Sequence, residues 1–191
     1  LKLFDSILPV EVAKHTQLDY WESSPKYGRG NPKYQFEGDA HDWWVWHDAY
    51  PFEHFEDYVP RFMSEFGFQS FPSTDAMKFI NKSEEIQIDT EGMRSHQKHH
   101  RGYELIDLYM ERDYMVPEND EDYVYVSQLV QAFGMRLGIE AHRRAKPYNM
   151  GTLYWQLNDC WPGISWSSID HFGNWKALHY EAKEAFENVL I

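Results

Sequence analysis

Arg61-Phe62-Met63-Ser64-Glu65-Phe66-Gly67-Phe68 is the stretch that most restricts how this chain can fold. Two bulky apolar residues run into a single carboxylate, and a glycine follows almost at once. A strand buried in a parallel sheet reads as a short apolar run. In a barrel of β/α units the reacting groups stand at the carboxyl ends of such strands. The same eight residues also fit a surface glutamate in a turn, and the rest of the chain decides between the two.

Three more segments share this character. Asp19 to Pro25 reads as a strand running into a turn, His41 to Trp46 as a short aromatic strand, and Gly151 to Asn158 as a strand with alternating polarity. Helical or long connections separate them. The spacing predicts a helix from Leu1 to Lys14 interrupted at Pro9, and a short helical connection between Pro51 and Pro60. Ser73 or Thr74 is placed to cap a helix ending at Asn81, with Asp75 near its positive end. Leu105, Leu108 and Tyr109 mark a helix over Met93 to Asp113. The clearest helix runs from Asp120 to Ala145, with Arg143, Arg144 and Lys146 at its negative end and Pro147 beyond. Asn174 is placed to cap a last helix with the apolar stripe Trp175, Leu178, Ala182 and Phe186. Strands alternating with helices predict an α/β chain of parallel units. Four such units make half of an eight-stranded barrel, which needs about 250 residues to close, against 191 here.

Composition narrows the function. The chain is 42% hydrophobic and carries 8 Trp, 13 Tyr and 12 Phe, ample for a packed core. Ring-rich sites also suit flat, partly apolar ligands such as sugars. The formal net charge of −13 repels phosphate backbones and anionic lipid surfaces, so neither nucleic acid nor a membrane is expected as a partner. No apolar run is long enough to span a bilayer. Cys160 is the only cysteine, which forbids an internal disulfide. A reducing compartment agrees with that, and so does a periplasmic or secreted location.

Arg61 to Pro72, together with Gly151-Thr152-Leu153-Tyr154-Trp155-Gln156-Leu157-Asn158-Asp159-Cys160-Trp161-Pro162-Gly163-Ile164-Ser165-Trp166-Ser167-Ser168-Ile169-Asp170, resembles the β-mannosidases of the second glycoside hydrolase family. Tyr20-Trp21-Glu22-Ser23-Ser24-Pro25 and Gly38-Asp39-Ala40-His41-Asp42-Trp43 match as well, so the resemblance covers essentially the whole chain. The Ser-Glu-aromatic-Gly element is shared with relatives acting on other sugars. The Leu-Tyr-Trp-Gln-Leu-Asn-Asp run is more specific to the mannosidase branch.

The resemblance implies that residues 1–191 are the C-terminal part of a (β/α)8 TIM barrel, about strands five to eight with their helices. The other barrel half and the family's β-sandwich domains would then be partners. It implies a retaining hydrolase, without cofactor, that removes terminal β-D-mannose from oligosaccharides, with Glu65 as nucleophile. Trp155 is implied as the floor of the sugar site. Trp21 and Trp43 are candidates for its walls, and His41 and Asp42 for hydroxyl contacts; Asn158 and Asp159 either reach hydroxyls as well or, the reading turn chemistry favours, stabilise the turn. Where the family has an aromatic residue, this chain has Asp42. The family's acid/base lies in an Asn-Glu pair ending the fourth strand, and no Asn-Glu dipeptide occurs here. The expectation is a chain that starts downstream of that pair and is catalytically crippled alone.

Two other readings stay open: a related hydrolase acting on a β-galactoside or β-glucosaminide, and a non-catalytic carbohydrate-binding or assembly fragment. His96, His99 and His100 invite a metal, yet with Lys98 and Arg101 between and beside them they read as a solvated helix face, and no metal site is assigned. Cys160 reads as a buried thiol.

Overall fold

A computed structural model describes residues 2–190, so the part of the first helix assigned to Leu1 lies outside the described residues. The chain starts with a wide π-helical turn, Leu3–Ile7, that passes directly into α1, Leu8–Val12. Pro9 therefore does not interrupt the helix. It sits in the first turn of α1, where a missing N–H costs nothing.

The next elements are β1 (Ala40–Asp42), α2 (Trp44–Asp48), α3 (His54–Asp57) and β2 (Met63–Phe66). β1 and β2 pair in parallel. On the other side of β2 runs the segment after Gly151. Met63 N–H donates to Gly151 O at 2.9 Å, Leu153 N–H to Met63 O at 2.8 Å and Trp155 N–H to Phe66 O at 2.8 Å. β2 is thus the middle of three parallel segments, although the third makes only isolated bridges and no regular strand.

Two strand expectations are corrected. Asp19 to Pro25 is irregular, not a strand. The aromatic strand assigned to His41–Trp46 stops at Asp42, because the Asp42 Oδ1 accepts the Trp44 N–H at 3.1 Å and turns the backbone into α2. Val45 and Trp46 are then buried as helical residues. The connection between Pro51 and Pro60 is helical as expected.

α4 spans Thr74–Asn81, capped by Ser73, whose hydroxyl accepts the Ala76 N–H. The single helix expected over Met93 to Asp113 is instead two, α5 (Glu91–Ser95) and α6 (Gly102–Asp113). Between them the backbone pairs with Ile164: Ile164 N–H donates to His96 O and Lys98 N–H to Ile164 O, at 3.1 and 3.0 Å. A helix over these residues would forfeit both bonds. His99 consequently packs, partly buried, against Trp46 and His47 rather than on a solvated helix face. Burial, with the nearby His47 and His100, lowers its imidazole to about 4. No group of His, Cys, Asp and Glu suited to a metal occurs among the described residues.

α7 spans Asp120–Arg144, with Asn119 capping its acidic first turn and His142, Arg143 and Arg144 in its last turn. α8, Ala177–Ala185, lies along it and buries Leu178, Ala182 and Ala185. Asn174 does not cap α8. Its side chain donates to Ser73 Oγ at 3.1 Å, and Trp175 and Phe186 are exposed. No helix among the described residues is long and apolar enough to cross a membrane.

The core lies between the sheet and helices α6 and α7, where Phe52, Phe55, Phe66, Phe68, Tyr109, Met135 and Ile139 are fully or almost fully buried. Gly134 admits the Phe52 ring against α7, since a Cβ there would stand 2.1 Å from it. A second, polar core surrounds Asp159, which accepts from Ser165 Oγ at 2.5 Å, Ser167 Oγ at 2.6 Å and Lys98 Nζ. Cys160, next in sequence, is an exposed free thiol and not the buried one expected.

Lys176 belongs to this polar region and is 1% exposed, its Nζ donating to Ser70 O and Ser165 O at 3.3 and 3.2 Å. Burial drops its ammonium from the ordinary 10.5 to about 7, with Asp159 and Asp170 opposing the drop and Lys98 adding to it. Between about pH 7 and 10.5 the unfolded chain therefore holds more protons than the folded one. Stability contributed by this residue rises with pH across that window, and below pH 7 the full cost of burying the charge stands. At about 1.4 kcal/mol per pH unit the gap is worth at most roughly 5 kcal/mol. Lys176→Met removes the charge, and both carbonyls keep the backbone bonds between Ser70 and Ser165. Urea titrations should show the variant more stable at pH 7 and without the alkaline rise. A variant with the same pH slope as the parent protein contradicts this.

Candidate active site

β2 carries one residue more than either neighbour. Ala40 faces Met63 and His41 faces Glu65, so Ser64 has no partner in β1. On the other side, Leu153 bonds to Met63 and Trp155 to Phe66, again passing one extra residue of β2. This is a β-bulge, which bends a strand and re-aims the side chain beside it. The side chain re-aimed here is Glu65.

The Glu65 carboxylate is held through one oxygen. Trp43 Nε1–H donates to Oε2 at 2.9 Å, and His41 Nδ1 stands 3.3 Å from the same atom. No protein group among the described residues hydrogen-bonds Oε1. The carboxylate is 24% exposed, enough to meet a ligand while excluding most water. Trp43 reaches Glu65 because the Asp42 turn swings it to the start of α2. Its ring is supported edge-on by Trp166, with centroids 6.1 Å apart.

Gly67 follows for a physical reason. A Cβ at this position would lie 2.3 Å from Trp155 O, 3.1 Å from the Trp166 ring and 3.2 Å from the Trp43 ring. Glycine lets the last segment close against the end of β2 and brings the three tryptophans to Glu65's neighbourhood.

Of the residues singled out in the sequence, the fold gathers Glu65, His41 and Trp43 by direct contact. Trp155 stands on the adjoining segment, 42% exposed. Trp21 borders a neighbouring cavity of about 630 Å³ that it shares with Phe4, Glu22, Ser24, Asp39 and Phe62. Asn158 is exposed farther along, bridged to Ile169 and accepting from Gln156 Nε2 through its carbonyl. Asp42 is not free for hydroxyls, since it is 2% exposed and pairs with His54 Nε2 at 3.0 Å. Asp159 is likewise spent inside the polar core.

Sequence reasoning passed over Trp166, Ser24, Ser64 and Asp39. All four lie in the very segments that carried the resemblance, but the link of the last three to Glu65 requires the bulge. Asp39 Oδ2 accepts from Ser24 Oγ at 2.5 Å and Ser64 Oγ at 2.6 Å, and Oδ1 from the Lys26 N–H at 2.9 Å. Burial raises its carboxyl, but these donors outweigh that and hold it below the usual carboxylate range.

No protein-family model matches the chain. Among curated proteins it is 28% identical to a β-mannosidase B of Aspergillus terreus and 29% identical to one of Aspergillus flavus, each over 99% of this chain and 23% of that protein. Among solved structures it superposes on the β-D-mannosidase of Dictyoglomus thermophilum with a TM-score of 0.90 and 36% identity, over 97% of this chain and 23% of that one. An exo-chitosanase of Amycolatopsis orientalis, at a TM-score of 0.53 and 19% identity, shares the fold. Over nearly its whole length, then, the chain is similar to one segment of the β-mannosidases, which are glycoside hydrolases, and it spans 23% of the curated ones it matches.

Proposed function

We propose that this chain carries the nucleophile of a retaining β-mannosidase that releases terminal β-D-mannose from oligosaccharides. The observation that carries the reading is the asymmetry of Glu65. Trp43 and His41 both hold Oε2, and Oε1 is left open. In a retaining glycosidase a carboxylate attacks the anomeric carbon and forms a glycosyl ester, which water then hydrolyses. Attack by Oε1 turns Oε2 into the ester carbonyl oxygen, which keeps the Trp43 N–H as its donor. Trp155, half exposed beside the end of β2, offers an indole face to the apolar C–H side of a pyranose. Trp21 is assigned to the site's outer wall.

The reaction also needs a carboxylic acid about 5–5.5 Å from the nucleophile to protonate the leaving oxygen. Asp39 does not suit that task, because its donors hold it as an acceptor. The Asn-Glu pair that the resemblance implies for this role does not occur in residues 1–191, so we place the acid/base outside them and assign this chain to about strands five to eight of a (β/α)8 barrel. The remaining barrel half and the β-sandwich domains are the proposed partners. Leu153 and Leu157, exposed on the last segment, offer apolar surface that such a partner would cover. The 191 residues alone should turn over mannosides far more slowly than the intact protein.

A panel of nitrophenyl β-glycosides, offered to the intact protein, tests the substrate. The mannoside should be cleaved in preference to the galactoside and the glucosaminide. Preference for either of the others overturns the assignment to mannose and leaves the nucleophile untouched.

A further inference from the structure

Glu65 is the only member of its surroundings that the proposed reaction uses directly, yet a second carboxylate is tied to it along two routes. The first route runs through His41. Ser24 Oγ lies 2.5 Å from Asp39 Oδ2 and 3.1 Å from His41 Nε2. A serine has one hydroxyl proton, and the carboxylate, which can only accept, takes it. Ser24 Oγ therefore accepts from His41 Nε2–H. His41 Nδ1 then faces Glu65 Oε2 at 3.3 Å. Asp39, through Ser24, fixes the orientation of the imidazole beside Glu65.

The second route runs through the backbone. Ser64, the extra residue of the bulge, donates to Asp39 Oδ2 at 2.6 Å and lies 3.2 Å from Ala40 O. The bulge is what aims Glu65, and Asp39 pins the bulge. Asp39 itself is anchored by the Lys26 N–H, so its carboxylate is held by three donors.

We propose that Asp39 is a positioning residue for Glu65, acting through Ser24 and His41 on the carboxylate and through Ser64 on the strand that bears it. Asp39 makes no bond to Glu65 itself and acts only through these residues. This inference rests on the reading of Glu65 as nucleophile, and the experiment separates the two. A misaimed nucleophile forms the ester slowly while the sugar site still binds its ligand normally.

The test uses the intact protein and a 2-deoxy-2-fluoro-β-mannosyl fluoride, with fluoride release followed over time and the ester located by mass spectrometry. Asp39→Asn should slow ester formation per folded molecule about 30-fold and change the half-saturating reagent concentration less than threefold. Ser24→Ala and Ser64→Ala, each cutting one route, should slow it about three- to tenfold. The 15N signal of His41 Nδ1 should move in Ser24→Ala, a change that general destabilisation would not produce. Labelling of Glu65 in the parent protein with undiminished rates in Asp39→Asn overturns the inference alone. Failure of the parent protein to label Glu65 overturns the reading beneath it. If Asp39→Asn does not fold, the two serine variants decide, and parent-like rates in both reject the proposal.

Discussion

Glu65→Gln should lower mannoside turnover of the intact protein by about 10⁴-fold or more, while the protein should unfold at nearly the parent temperature. The amide preserves the shape of the side chain and an oxygen for the Trp43 N–H, so the local fold survives. What is lost is the nucleophile, because an amide forms no glycosyl ester. A 10⁴-fold loss corresponds to about 5.4 kcal/mol of transition-state stabilisation. A bond to a charged group that merely orients substrate is worth about 1.5–3 kcal/mol. The two roles therefore differ by orders of magnitude in rate. A loss of only tenfold to a hundredfold would make Glu65 a binding residue.

Gly67→Ala is the second large effect, and it acts on stability first. Its Cβ meets a backbone oxygen, Trp155 O, at 2.3 Å, and backbone cannot rotate out of the way as a flexible side chain can. Either the last segment peels from β2, losing the Trp155 N–H bond to Phe66 O, or β2 shifts and carries Glu65 with it. Overpacking costs about 1–3 kcal/mol and the broken bond about 1 kcal/mol more. Chemical denaturation should show a loss of roughly 2–4 kcal/mol. Gly28→Ala is the matched control, since nothing lies within 4 Å of the added methyl, and it should be close to neutral. Equal stability of the two variants would show that the close approach at Gly67 is relieved without cost.

Much of this architecture was legible where local chemistry and tertiary context agree. α7 carries its own signals, an acidic first turn and a basic last one, and α4 begins at the expected serine cap. β2 was readable because an apolar run ending in Glu and Gly has few uses. The failures have two causes. His41 to Trp46 is rich in strand-forming rings, yet a local turn, in which Asp42 Oδ1 accepts the Trp44 N–H, converts its second half into a helix. Met93 to Asp113 has helical spacing, and its break is imposed by distant Ile164, which no local propensity contains.

The candidate site divides the same way. Glu65 and its two immediate neighbours in space, His41 and Trp43, stood among the residues the sequence pointed to. Their division of labour did not. Trp43 reads from the sequence as a wall of the sugar site, and in the structure its N–H also holds the carboxylate. Asp42 was read as a hydroxyl partner, and it is buried against His54. Asp39, Ser24 and Ser64 were invisible as a group because the bulge that joins them is a property of three segments in register, not of any one of them.

The most direct measurement is the site of covalent attachment. The intact protein is trapped with the fluorinated mannosyl fluoride, digested, and its peptides are sequenced by mass spectrometry. The account predicts one fluoromannosyl group, carried by Glu65 and absent from Glu65→Gln. A label on another carboxylate, with Glu65 unmodified, would contradict it. So would mannose released with inverted configuration and no covalent adduct.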